Sequence, residues 1–106
     1  MAFFMKRGTI SMDNTPVYQQ EMEDGVMGMA QKNGSVIINK NLKPEVQKDV
    51  LRHEKVHLKQ MEDGDLDYDE KYVYWKGKKI SRSTFDEGDK SLPWEKPAWA
   101  ANKLKY

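Results

Sequence analysis

Between Pro44 and Gly64 the side-chain spacing leaves little choice of structure. Val46, Val50, His53, His57 and Met61 recur at intervals of four, three, four and four, a single stripe along a helix of 3.6 residues per turn. Pro44 suits the first helical turn, where its missing N–H would be unpaired in any case. Asn39 or Asn41 is placed to cap just upstream, Glu45 sits at the positive end of the helix dipole, and Gly64 supplies a stop. The spacing predicts a helix over residues 44–62 that carries both histidines of the chain on its otherwise apolar face.

The flanking segments change period. Residues 17–19 suit a short strand. Two apolar runs, residues 25–31 and 35–39, surround Asn33-Gly34, a pair that accepts the positive φ values of a tight hairpin turn. Six acids fall within residues 62–70 and predict a solvated loop. Its alternating aspartates fail as an EF-hand, because Tyr68 stands where glycine is needed and Tyr74 where the closing glutamate is needed. Residues 72–75 and 79–82 predict a second hairpin about Lys76-Gly77-Lys78, aromatic on one strand and basic on the other. Its lysines read as protection of a solvated edge. A polar loop over 83–91 leads to an alanine-rich helix over 92–104. The order hairpin, long helix, hairpin, short helix is an α+β fold in one domain over residues 1–106.

Composition narrows the function. Leu, Ile, Val and Phe supply only 20 of 106 residues, yet 18 basic and 17 acidic side chains leave a net charge of +1. Disorder requires a larger net charge, so the chain is expected to fold, with three tryptophans supplying buried area. The same balance disfavours nucleic acid as a partner. No apolar run approaches the roughly 18 residues that span a bilayer, and residues 1–5 are too short for a signal-peptide core. Without cysteine there is neither a disulfide framework nor a thiolate metal site. A cytoplasmic protein without a membrane partner is expected.

Within the helix, His53-Glu54-Lys55-Val56-His57 has the form H-E-x-x-H. Residues i and i+4 project from one side of a helix a turn apart, so both imidazoles reach one metal ion. Zn²⁺ takes imidazole nitrogen, and a catalytic site uses three protein ligands with a position left for water. Glu54 lies beside the ion, placed as general base toward the activated water and as proton donor to a leaving amine. Rings on a buried stripe need partners, which a metal provides. The histidines are exhausted by the motif and cysteine is absent, so the third ligand must be a carboxylate. The candidates are Glu95, at the head of a helix whose Ala98, Ala100 and Ala101 permit close approach, and the loop acids Asp86, Glu87 and Asp89. Gln60, one turn beyond His57, is placed either to orient a ligand or to face solvent.

These residues resemble the gluzincin branch of the zincin metallopeptidases. More closely, Leu51-Arg52-His53-Glu54-Lys55-Val56-His57-Leu58-Lys59-Gln60 and Leu92-Pro93-Trp94-Glu95-Lys96-Pro97-Ala98-Trp99 resemble small metallopeptidases of bacterial and bacteriophage genomes. Those proteins pair a helical H-E-x-x-H-x-x-Q with a downstream aromatic-Glu-x-x-Ala. The resemblance implies a minimal zincin-like domain, with Zn²⁺ on His53, His57 and Glu95 and Glu54 as general base. The activity implied is hydrolysis of a peptide or protein substrate. The alternative is a zinc-stabilised binding or scaffold protein with little turnover. Pro97 departs from the pattern, and its ring either fixes the helix start near Glu95 or kinks the first turn. The family's oxyanion-stabilising Tyr or His would fall to Tyr72 or Tyr74. A strand at residues 35–38 would border the cleft and accept an extended substrate as an added strand.

Overall fold

The computed structural model describes residues 15–104; residues 1–5, read above for a signal segment, lie outside them. Among the described residues the fold is α+β, with two three-stranded sheets, one long helix and a short one. Strands β1 (Val17–Gln20), β2 (Gly28–Ala30) and β3 (Val36–Asn39) precede helix α1 (Pro44–Glu62). Strands β4 (Leu66–Tyr68), β5 (Tyr72–Trp75) and β6 (Lys78–Ser81) follow, then a 3₁₀ turn (Arg82–Thr84) and helix α2 (Lys96–Ala100).

Helix α1 occupies the predicted span. Pro44 stands in its first turn, but neither asparagine caps it. Asn39 instead accepts the Asn41 N–H (3.0 Å) and donates to the Val26 carbonyl (3.0 Å), bracing the turn before the helix. At the far end Gly64 adopts φ +82°, its N–H reaches the Met61 carbonyl and the Asp65 N–H reaches that of Gln60, a Schellman closure.

In the first sheet the strand order is β1-β3-β2, with β1 parallel and β2 antiparallel to β3. Residues 35–38, expected at the cleft edge, therefore lie mainly in the central strand, and Val36 and Ile38 are buried in the core. The edge beside α1 is β2. Gly28 permits that contact, because a Cβ there would lie 2.6 Å from Val50 Cγ1, 3.2 Å from the Ile37 carbonyl oxygen and 3.3 Å from Glu54 Cγ. Gly28→Ala is expected to force strand and helix apart at a cost of about 1–3 kcal/mol, measured by chemical denaturation; an unchanged midpoint would contradict this packing.

The acidic segment is not all loop. Leu66 and Tyr68 alternate with Asp67, so the apolar side chains turn inward and the charge outward, forming a strand that pairs with β5. Between β5 and β6 only Lys76 and Gly77 turn the chain, both at positive φ (49° and 86°), as the two-residue hairpin requires. Arg82 falls beyond β6, in the 3₁₀ turn. The predicted helix over 92–104 is regular only from Lys96 to Ala100. Two apolar clusters result, Val36, Ile38 and Val50 on one side and Leu66, Val73 and Trp94 on the other.

Candidate metal centre

Along α1 the stripe passes from Val50, in the first apolar cluster, to Met61, packed on the second. His53 and His57 fall between them, both buried. Facing them is Glu95, 8 % exposed, at the N-cap of α2. Pro97 sits at the second helical position, where no intrahelical N–H is missed. It starts the helix and does not kink it. Trp99 donates its backbone N–H to the Glu95 carbonyl (2.8 Å), and Ala98, with no exposed surface, lets α2 close on α1. Trp99 meets the His53 ring edge-on at 4.7 Å and is fixed by its indole N–H to the Gly88 carbonyl (2.9 Å).

Both rings turn Nε2 toward one carboxylate oxygen. His53 Nε2 lies 3.0 Å and His57 Nε2 3.2 Å from Glu95 Oε1. Behind each ring, Nδ1 meets an amide oxygen, that of Asn102 at 2.8 Å for His53 and that of Gln60 at 2.9 Å for His57. An amide oxygen only accepts, so each Nδ1 carries hydrogen. A neutral ring then presents a lone pair at Nε2, and three acceptors converge. Such a cluster needs a proton or a cation among its members.

The electrostatics follow. Burial alone would lower the His53 pKa, but its hydrogen bonds with Glu95 and Asn102 outweigh burial and hold it above the ordinary 6.5. His57 is raised against burial in the same way, by Glu95 and Gln60. Glu95 would be raised by burial, yet the two imidazoles hold it at about 2. Protons thus hold the metal-free cluster together, and a divalent ion competes for the same lone pairs.

The donor set fits a metal. Ligands at zinc distances of about 2.0–2.2 Å in a tetrahedron stand about 3.3 Å apart, close to the two separations above. His53, His57 and Glu95 form a buried group able to bind a metal ion, with one ligand atom from each all within 4.8 Å. Of the other acids, Glu87 and Asp89 have partners of their own, Glu87 at the border of the same cleft. Glu87 pairs with Arg82 (2.7 Å), Asp89 accepts the backbone N–H and hydroxyl of Ser91, and Asp86 lies outside the group.

Glu54 lines the same cleft, a cavity of about 560 Å³ bordered by β2, His53, His57, Tyr68, Trp94 and Trp99. Burial pushes its carboxyl above the usual range, while the two histidines and the Ala30 N–H pull partly the other way. Neither Tyr72 nor Tyr74 borders this cleft. Tyr74 donates to Asp69 (2.9 Å) and Tyr72 lies under Lys79 on the exposed face of the second sheet. The tyrosine at the cleft is Tyr68, whose hydroxyl donates to the Ala30 carbonyl (3.3 Å).

Gln60 is buried and spans the site, its Nε2 donating to the Trp94 carbonyl (3.0 Å) beside Glu95. Asp49 was not apparent from the sequence as part of the surroundings. It lies one turn before His53 on the buried side of α1, and that periodicity is the signal that marks it. Comparison with protein-family models, curated proteins and solved structures gives no match.

Proposed function

We propose that the chain is a zinc-dependent peptidase of minimal zincin type, in which His53, His57 and Glu95 hold Zn²⁺ and Glu54 is the general base. The observation that carries this reading is the second acid, Glu54 beside Glu95. Glu54 shares the cleft with the ligand group, is not one of its members, and has its pKa raised by burial. A site that only stapled helices together would need the ligands alone. A raised carboxyl beside a metal suits a group that takes up a proton and returns it.

Zn²⁺, when bound, supplies Lewis acidity toward a carbonyl oxygen and toward water. The chain's own residues do the rest. Glu54 receives the proton of the attacking water and delivers it to the departing amine. Gln60 and Asn102 hold the rings in place. Strand β2 turns the Met27 carbonyl and the Gln31 N–H toward β3, so in an antiparallel pair Gly28 and Ala30 direct theirs away from it, toward the cleft, where the Ala30 carbonyl accepts the Tyr68 hydroxyl and the Ala30 N–H donates to Glu54. An extended peptide added to this edge would meet it at Gly28 and would have to displace those two contacts at Ala30.

Glu54→Gln tests the reading, since it keeps the shape and removes the base. Zinc content is expected to stay at one per chain while cleavage of a broad peptide library falls by at least about a hundredfold. Equal cleavage by both proteins would reject Glu54 as base. A zinc-loaded wild type silent on every peptide would favour the scaffold alternative.

A further inference from the structure

Asp49 is a carboxylate with no exposed surface, placed one helical turn before His53. Four donors converge on it. The Lys103 and Leu104 backbone N–H groups lie at 2.7 and 3.2 Å, the Arg52 guanidinium at 2.9 Å and the Asn102 side-chain amide at 2.8 Å. The segment after α2 is thus tied back onto α1 just where Asn102 meets His53 Nδ1 (2.8 Å).

We infer that Asp49 and Asn102 are positioning residues that set the tautomer of His53: the buried carboxylate fixes which way the Asn102 amide faces, and the amide oxygen then holds the proton on Nδ1. The physical step is short. A carboxylate cannot donate, so the Asn102 NH₂ must turn to Asp49. Its oxygen is left for the ring, Nδ1 becomes the donor, and the Nε2 lone pair points at the Glu95 side of the cluster. Free imidazole has no such constraint. The consequence for metal affinity rests on the zinc reading above; the tautomer does not.

The test is histidine-ring ¹⁵N NMR of the metal-free protein at a pH where both rings are neutral, alongside zinc affinity by competition with a chelating dye. Wild-type His53 is expected as the Nδ1–H form; an Nε2–H ring would overturn the inference. Asp49→Asn keeps the shape but offers an NH₂ where the carboxylate oxygen faced Asn102. The Asn102 amide should then reverse and His53 become Nε2–H, while His57, held by Gln60, stays Nδ1–H. Zinc should bind roughly 10–100-fold more weakly. A folded Asp49→Asn protein whose His53 remains Nδ1–H, or whose zinc affinity is unchanged, would refute the role. If Asp49→Asn does not fold, Asn102→Leu carries the same expectation for both readouts. Should the wild type bind no zinc while the tautomer still inverts, the zinc reading fails and the positioning role stands. Tight zinc binding with a ring indifferent to Asp49 is the converse.

Discussion

Loading the protein with zinc to a thousandfold above its dissociation constant is expected to raise the melting temperature by about 15–30 °C, and a chelator should reverse the shift. At that ratio a ligand confined to the folded state contributes about 4 kcal/mol, and each kcal/mol moves a domain of this size by about 4–8 °C. The effect should be large because the two apolar clusters are small and the ligand group stands between them. The gain should also depend on pH. His53 and His57 have raised pKa values, so their pairing with Glu95 stabilises the metal-free fold fully below about 6.5 and is lost as pH rises through the folded values. Glu95 is depressed to about 2, so its contribution is present above 4.5 and fades as pH falls toward 2. Protons therefore support the cluster fully between about pH 4.5 and 6.5, and zinc meets progressively freer ligands as pH rises through the folded values above that window. Scanning calorimetry at pH 5.5 and pH 8 should show the larger zinc shift at pH 8; no shift at either would end the zinc assignment.

Trp94→Ala is expected to cost about 3–5 kcal/mol, roughly a fifth or more of the stability of a typical domain. Trp94 is 4 % exposed, packs with Leu66 and Val73, and meets Phe85 at 5.3 Å and Trp75 at 6.2 Å between ring centroids. It also immediately precedes Glu95, so the cavity left behind would loosen the carboxylate of the candidate site. Urea denaturation of metal-free protein should show the loss in full, with zinc recovering part of it. A loss under about 1 kcal/mol would mean that the second cluster does not depend on this ring.

Helix α1 was legible because independent signals agree on it: Pro44 at one end, Gly64 at the other and a stripe between. Glu95 was legible for another reason. Two histidines and no cysteine leave only a carboxylate to complete the set, and alanines beside Glu95 marked the helix able to approach. What escaped was non-local. Nothing near residues 35–38 discloses that β1 pairs parallel on the far side, making β3 central and β2 the edge. In residues 66–68 the acids masked a two-residue alternation. Asp49 was hidden by ordinary expectation, since an acid on a helix is expected to face water and its partner Asn102 lies 53 residues away.

That C-terminal return has a kinetic side. His57 and Glu95 are 38 residues apart, and the whole second sheet, β4 to β6, lies in the loop between them. Closing a loop of that length costs chain entropy before any sheet contact offsets it, and a cross-link over such a span restricts the unfolded chain by about 4 kcal/mol. In a chain without cysteine a metal on the ligand group would take the place of a disulfide, with one difference: it would open and close with the supply of metal, so the lifetime of the second sheet would be set by metal release.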